Sequence, residues 1–582
     1  MKTLFKSIPF LLATVLLFAA CSGGGETATI SINIGKSSLP DKASVSIDQL
    51  HHVIVLSGPT GKQTYSISGG GTVKATVTAG LWVIDVDGFL GTELYAKGSA
   101  TAEVKPARNT SVTVYMTVIW DEPAGGGGGG SSGSGSVPWQ FTASSWQALK
   151  DQIENTGMTS GTINLVNDPL PVLASPWAAD TTNGTITIVA GQNISLMAAS
   201  GVTITRDGSW DQAFFSVASG GTLKLLSGIT VDGTGTAFKP LIEVNSGALE
   251  MNAGVTLQYN QNTVTNGGAV AMGGISSVPA SFTMYGGQIC LNDAFFSSGQ
   301  GGGVYVGNYA VFTMKNGIID HNRAGVSSGG GYGGGVFIDS TGEFIMEGGD
   351  IDQNEAIFGS GSGGDGGGVY VEGNGTFSMK NSSSKITFNI ANRGGGVYVD
   401  GFVGVPGKFT MGNGSIISGN IAYGEGGGVG LASDTEFYMY DATTTISGNN
   451  AAVGGGVAVG GGGYFEMNNG TIGPGNSVDG TGFGIGGGVY VGYASGNPGQ
   501  FTMNGGTISG NMAGPISSAR GGGVYIILYG IFNYVTGFIY GDDAPALSNY
   551  VIDSTYSPVP FMGHAVWDGN ASVGLEPTDT TY

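Results

Sequence analysis

Charge is scarce in this 582-residue chain. Only 10% of its residues are Asp, Glu, Lys or Arg, and 20 basic side chains stand against 41 acidic ones, a net −21 at pH 7. A nucleic-acid binder needs a basic footprint to displace counterions, so that class is excluded, and anionic membrane surfaces are disfavoured for the same reason. Proline is scarce as well. The 112 glycines invite a comparison with collagen, but 19 prolines and no Gly at every third place exclude it. Cysteine is almost absent, and Cys21 and Cys290 allow at most one disulfide, so no disulfide framework holds the fold. After the first twenty residues no uninterrupted apolar run reaches the ~18 residues of a spanning helix. What is present is an aromatic content of 10% and a 40% apolar fraction. Disordered chains lack both. An all-β protein, rich in turns and long enough to bury a large core, is what remains.

Residues 1–20 read as a signal peptide, with Lys2 and Lys6 ahead of an apolar run from Ile8 to Ala20 that is too short to span a bilayer comfortably. The run ends Leu17-Phe18-Ala19-Ala20-Cys21 and is followed by Ser22 and three glycines. This resembles the bacterial lipobox, with Phe18 where leucine is usual. The resemblance implies acylation of Cys21, a flexible tether over 21–29, and a membrane attached through that lipid. It places the protein at the cell envelope, at the outer membrane or cell surface.

From 30 to 120 the chain alternates apolar and polar residues, as in Val53-Ile54-Val55-Leu56 and Leu81-Trp82-Val83-Ile84-Asp85-Val86. With turn signals at short intervals, this predicts a small β-sandwich. The run Ala79-Gly80-Leu81-Trp82 resembles bacterial immunoglobulin-like or transthyretin-like modules. No Cys/Asp/Glu cluster lies near His51 and His52, so a metal site is not expected there. Residues 121–137, with six consecutive glycines and then Ser/Gly, form a linker by composition. Residues 142–155 carry a helical pattern, with Ser144 or Ser145 as N-cap and Trp146, Leu149 and Ile153 on one face. This is expected to cap the second module, 138–541, leaving 542–582 as a C-terminal cap or tail.

Internal repetition governs that module. Gly-Gly-x-Val begins at Gly267, Gly301, Gly333, Gly366, Gly394, Gly426, Gly454, Gly486 and Gly521. Phe-x-Met follows at Phe282, Phe312, Phe344, Phe377, Phe409, Phe437, Phe465 and Phe501, with Phe532-Asn533-Tyr534 as a last variant. An Ile then leads to Asn three places on at Asn292, Asn322, Asn354, Asn389, Asn420, Asn449 and Asn511. Successive repeat valines lie 28 to 35 residues apart, and degenerate copies around Val244, Val217 and Ile194 bring the total to about a dozen. In both motifs the outer positions stay apolar while the middle one varies, so the outer pair faces the core and the middle one faces out. Three short strands per repeat, each stacking on its copy, make a parallel β-solenoid of about a dozen coils.

The phrase Gly-Gly-Gly-Val-Tyr-Val … Phe-Thr-Met-Asn-Gly-Gly-Thr-Ile-Ser-Gly-Asn resembles the repeats of chlamydial-type polymorphic outer-membrane proteins. It is also similar to those of bacterial surface proteins with pectin-lyase-like right-handed parallel β-helices. The resemblance implies a right-handed β-helix displayed on the cell surface. Autotransporter members of that family end in a membrane β-barrel, for which the residues after Tyr540 are too few, so the lipid on Cys21 serves as anchor in this reading.

The recurrent asparagines read as a structural ladder along the axis, because their spacing is that of the repeat. Asp320 and Asp352 fall on adjacent coils with Asp350 nearby. These three are candidates for a calcium ion, as in β-helix polysaccharide lyases, with a solvated acidic patch as the preferred alternative. His321 should point to the opposite side if its strand stays regular. Cys290 reads as a buried thiol. In Gly-Gly-x-Val-x-Val the outward place holds Tyr305, Phe337, Tyr370 and Tyr398 on four successive coils. They are expected to form an exposed aromatic ridge beside long loops bearing Asp293, Arg323, Glu355 and Asp365, with Arg323 and the four rings as ligand-binding candidates. The alternative is that the loops cover the rings. The functional expectation is a non-catalytic surface lipoprotein whose β-helix serves adhesion to a surface glycan or to a host or neighbour protein. The alternatives are a calcium-assisted polysaccharide lyase or hydrolase and a purely structural surface-coat component.

Overall fold

The computed structural model separates the chain into two compact units, Met1–Gly135 and Ser136–Tyr582. It describes residues 27–35, 50–58, 61–69, 71–78, 80–90, 93–105, 109–115 and 117–118 of the first. In the second it describes 139–568 apart from 167–176, 180–183, 200, 207–209, 360–362, 479–482, 495, 515–518, 542–546 and 553–564. The leader, Cys21, the tether and the Gly/Ser linker lie outside the described residues.

The first unit contains two sheets. Thr27–Gly35 pairs antiparallel with Thr72–Thr78 and parallel with Asn109–Tyr115. His51–Gly58, Gly61–Ser68, Gly80–Leu90, Glu93–Val104 and Thr117–Val118 form a five-stranded antiparallel sheet. Strand alternation sends Ile30, Ile32, Val77 and Val114 of one sheet, and Ile54, Leu56, Trp82, Ile84 and Val86 of the other, into a single buried cluster. Two sheets sharing one core are a small β-sandwich. The same alternation buries His52 and leaves His51 exposed beside Ser68.

The second unit is a parallel β-solenoid of about 11 turns. Its three faces are a 13-stranded sheet of Val-x-Val strands, a 14-stranded sheet of Phe-x-Met strands and a 22-stranded sheet built from two short strands per coil on either side of the repeat Asn. Neighbouring coils pair in exact register, for example Phe377 with Phe409 and Met379 with Met411. Register turns the repeat into columns. The Phe column is a continuous stack from Phe282 to Phe532, with centroids 4.6–5.0 Å apart and ring planes within 6–19° of parallel. Isolated aromatic pairs avoid a face-to-face stack; here the strand spacing imposes it and the buried area outweighs the preference. Val, Phe, Met and Ile of every complete repeat are essentially fully buried.

The start of the solenoid differs from the sequence expectation. Trp139–Ala143 is a strand, and the helix begins at Trp146 after Ser145, whose Oγ accepts the Ala148 N–H at 3.2 Å. One α-turn, Trp146–Lys150, continues as a π-turn, Asp151–Asn155, and Trp146, Leu149 and Ile153 are buried against the first coils as their spacing requires. Thr142, which fits the helical period of its neighbours, instead pairs with Asn164 in the first coil. The solenoid also runs past 541. Tyr550–Val551 and Val566–Asp568 add rungs to two of the sheets, so part of the expected tail belongs to the last coil.

Candidate binding surfaces of the solenoid

The most repetitive polar groups are structural. Asn389 Nδ2 donates to Asn420 Oδ1 and to the Ile351 carbonyl, both at 3.0 Å. Its Oδ1 accepts the Asn354 backbone N–H at 2.9 Å and Asn354 Nδ2 at 3.0 Å. The same Nδ2-to-Oδ1 bond links Asn292 through Asn511 to Asn549, all with no solvent exposure. Asn260, Asn476 and Asn549 belong to this ladder although strict Ile-to-Asn spacing does not find all of them. One extra residue separates Ile472 from Asn476, and a longer excursion precedes Asn549. The glycine triplets exist to admit the ladder. A Cβ on Gly396 would sit 2.7 Å from the Gly428 carbonyl oxygen and 3.1 Å from Asn420 Nδ2.

Every ladder Asn from Asn260 to Asn511 is preceded by a left-handed residue: Tyr259, Leu291, His321, Gln353 and Phe388 have φ of 53–58°, and Gly419, Gly448, Gly475 and Gly510 take the place after them. The strand therefore does not stay regular at His321. The turn swings its ring onto the side of Asp320, with Nδ1 2.8 Å from Oδ2, not to the opposite side.

The calcium candidates do not converge. Asp320 and Asp352 face each other across one rung, while Asp350 lies opposite Ile318. Each of the first two is engaged by neighbours, Asp320 by Gln288 and His321, Asp352 by Gln353 and Thr387. Burial raises the Asp350 carboxyl, opposed by Lys385 at 4.0 Å. Among the described residues no group of three or more His, Cys, Asp or Glu is placed to hold a metal ion. Arg323 is exposed and forked onto Asp293 of the preceding coil at 3.0 and 2.7 Å.

The aromatic ridge forms but is not exposed. Tyr305, Phe337, Tyr370 and Tyr398 stack with centroids 5.6, 5.1 and 5.7 Å apart. Phe337 is 0% exposed, Tyr370 5% and Tyr398 3%; only Tyr305 is half-buried. Residues just ahead of the glycine runs cover them. Tyr332 packs edge-on against Tyr370 at 5.2 Å, and the Arg393 guanidinium lies 4.5 Å from the centre of the Tyr398 ring. Arg393 is held by a fork to Asp365, which is itself buried, at 2.9 and 2.6 Å. The outside of these strands is a second, smaller core.

No family model, curated protein or solved structure matches the chain. Its surfaces therefore have to be read from their own chemistry.

Two groupings emerge that the sequence did not single out. One is a carboxylate at the end of three successive Val strands. Asp339 accepts the Tyr305 hydroxyl and the Ser340 N–H, and Asp400 accepts the Tyr370 hydroxyl at 2.9 Å and the Gly401 N–H at 2.9 Å. Between them, burial and a hydrogen bond to Asp339 push Glu372 up to about 7. The second lies on the outward side of the Phe-x-Met sheet. Tyr438 and Tyr440 are parallel within 7° at 6.2 Å, and Tyr464 meets Tyr438 edge-on at 6.0 Å. Tyr440 is 43% exposed. Lys408 sits 4.8 Å over the Tyr438 ring and 3.3 Å from Glu436, which accepts the Tyr438 hydroxyl. Glu466 accepts the Tyr464 hydroxyl at 2.7 Å, Asn468 at 2.8 Å and Asn504 at 3.2 Å. Desolvation, then Glu436, pushes the Tyr438 phenol up to about 12, so it remains a hydrogen-bond donor at neutral pH. The signal was available, since Tyr and Glu occur in the variable middle place of Phe-x-Met only at 438 and 466.

Proposed function

We propose that the protein is a non-catalytic surface lipoprotein, anchored through Cys21, whose β-solenoid is displayed for adhesion to a glycan or protein surface. This is also what its resemblance to polymorphic outer-membrane repeats implies. The observation that carries the reading is the tyrosine patch at 438, 440 and 464. Tyr440 is exposed and Tyr438 and Tyr464 are half-buried beside it on one sheet face, and carboxylates and amides at their margins offer directional hydrogen bonds. Tyrosine supplies large contact area at little entropy cost, and clustered exposed aromatics mark interaction surfaces. The test is attachment of cells expressing the full chain to immobilised glycan and protein surfaces. Tyr438→Ser with Tyr464→Ser should lower attachment at least tenfold and leave the melting temperature within a degree or two. Undiminished attachment refutes the reading. Labelling with a radioactive fatty acid should mark the wild type and not Cys21→Ser; equal labelling removes the anchor.

A second reading, polysaccharide hydrolysis, rests on Glu372, which burial and a hydrogen bond to Asp339 on the adjacent coil push up to about 7, so that it could serve as a general acid near neutral pH. Release of reducing ends from neutral polysaccharides by the wild type, lost in Glu372→Gln, would establish it. No release from any polysaccharide removes it.

A further inference from the structure

The buried ring column is closed at one end and open at the other. At the Tyr398 end the next rung is Gly430, and Arg393 covers the ring. At the Tyr305 end the next rung is Ala271 and the one beyond it is Glu243. A ring is therefore missing from the stack where Ala271 stands. The space it leaves is an open cleft of about 290 Å³. Tyr305 and Ala271 line its apolar side, and Glu243, Asn245 and Asn266 lie around it. The Tyr305 ring is held in place before any ligand arrives, by Phe337 stacked at 5.6 Å and by its hydroxyl donated to Asp339. Glu243 is steadied by Lys239 at 2.8 Å.

We propose that this cleft binds one pyranose ring of an uncharged glycan, stacked on Tyr305 as the next member of the column. Its occupant needs an apolar face for Tyr305 and Ala271 and hydroxyls around its edge for Glu243, Asn245 and Asn266. A pyranose has both. A bare aromatic side chain would fill the space but offer no hydrogen bond to the rim; Glu243 and Asn266 would keep Lys239 and Gln300 as partners, while Asn245 would be desolvated with nothing gained in return. A uronate would bring a second carboxylate beside Glu243, whose charge Lys239 already takes up, on a chain at −21. Because the receiving ring is already ordered, little entropy is lost on binding. The inference rests on the adhesive reading above but on different residues.

The test is titration of the full-length protein, in detergent, with neutral oligosaccharides, uronate oligosaccharides and an aromatic peptide, followed by calorimetry and by tyrosine fluorescence. Neutral oligosaccharides should bind and the other two should not. Ala271→Phe puts a ring in the missing rung, where Gly267 stands to Ala271 as Gly301 stands to Tyr305, so the variant should fold with an unchanged or higher melting temperature. It should lose at least tenfold in sugar affinity. Tyr305→Ala should lose binding too, and Ala271→Phe decides the matter if that variant is unstable. Wild type that binds no neutral oligosaccharide, equal binding by Ala271→Phe, or peptide binding abolished by Ala271→Phe each overturn the proposal. Cell attachment that persists in Ala271→Phe but falls in the Tyr438 and Tyr464 variants overturns the cleft alone and leaves the adhesive reading intact.

Discussion

Replacing Asn389 by leucine tests whether the asparagine ladder holds the coils together. The side chains are similar in size, so packing changes little. Four hydrogen bonds disappear: two donated by Nδ2, to Asn420 and the Ile351 carbonyl, and two accepted by Oδ1 from Asn354. Asn420 Oδ1 keeps the Asn389 backbone N–H at 2.9 Å. The Ile351 carbonyl, the Asn354 N–H and one Asn354 amide hydrogen are left without these partners, in a place water does not reach. At ~1–3 kcal/mol for each orphaned group, the loss is about 3 kcal/mol at the least. Thr410→Ala, on an outward position, should stay within about 0.5 kcal/mol of wild type. Urea unfolding followed by circular dichroism compares the variants. Hydrogen exchange should show lost protection centred on the coils of Asn354, Asn389 and Asn420, since solenoid coils couple mainly to their neighbours. Asn389→Asp adds a check of sign. One carboxylate oxygen still accepts from Asn354, but the other faces the Ile351 carbonyl and Asn420 Oδ1 with no hydrogen to donate, so burial and this repulsion raise its pKa on folding. Its stability is then fullest below the unfolded carboxyl pKa and is lost as pH rises through the folded value. If the leucine variant matches Thr410→Ala in stability and exchange, the ladder is incidental and the reasoning fails.

Met411→Asp, in the fully buried Met column, should cost several kcal/mol, while Thr410→Asp on the outward side should be nearly neutral; equal shifts in urea midpoint would overturn the facing of the strand. Glu372, raised by burial and Asp339 from 4.5 to about 7, contributes stability that is present below pH 4.5 and lost as pH rises through 7. Glu372→Gln should flatten that slope, and an identical pH profile for variant and wild type would contradict it. Cys290 is 5% exposed, and its thiol is pushed up to about 12 by desolvation and by Asp320 and Asp232. It should resist iodoacetamide at pH 8 in the native protein and react in urea; equal rates in both would place it at the surface.

How far the sequence can be read depends on whether a contact repeats. Phe-x-Met, Val-x-Val and Ile-to-Asn recur at one spacing, and a parallel solenoid translates each recurrence into a column, so the core and the ladder were legible without coordinates. The helix at Trp146, Leu149 and Ile153 was legible too, because three apolar residues at helical spacing follow a capping serine. Its first residue was not, since Thr142 pairs with Asn164, a partner 22 positions away that no local pattern reveals.

The surfaces are another matter. Pleating determined that Tyr305, Phe337, Tyr370 and Tyr398 point away from the solenoid core, and register determined that they stack. Whether they meet water was decided by the place just before each glycine run, which stacks from coil to coil but varies in side chain, with Tyr332 and Arg393 reaching across the rings. His321 points where it does because one left-handed residue interrupts the strand. The open face of Tyr305 exists because alanine at 271 lies one coil below a tyrosine, a relation between residues 34 apart. Sequence alone determined what is periodic in this protein, because translation by one coil maps every repeat onto the next. Tertiary structure decided what is exposed, because exposure depends on which side chains fill the variable places, as at Tyr332 and Arg393, and on how they fold over their neighbours, and no period specifies either.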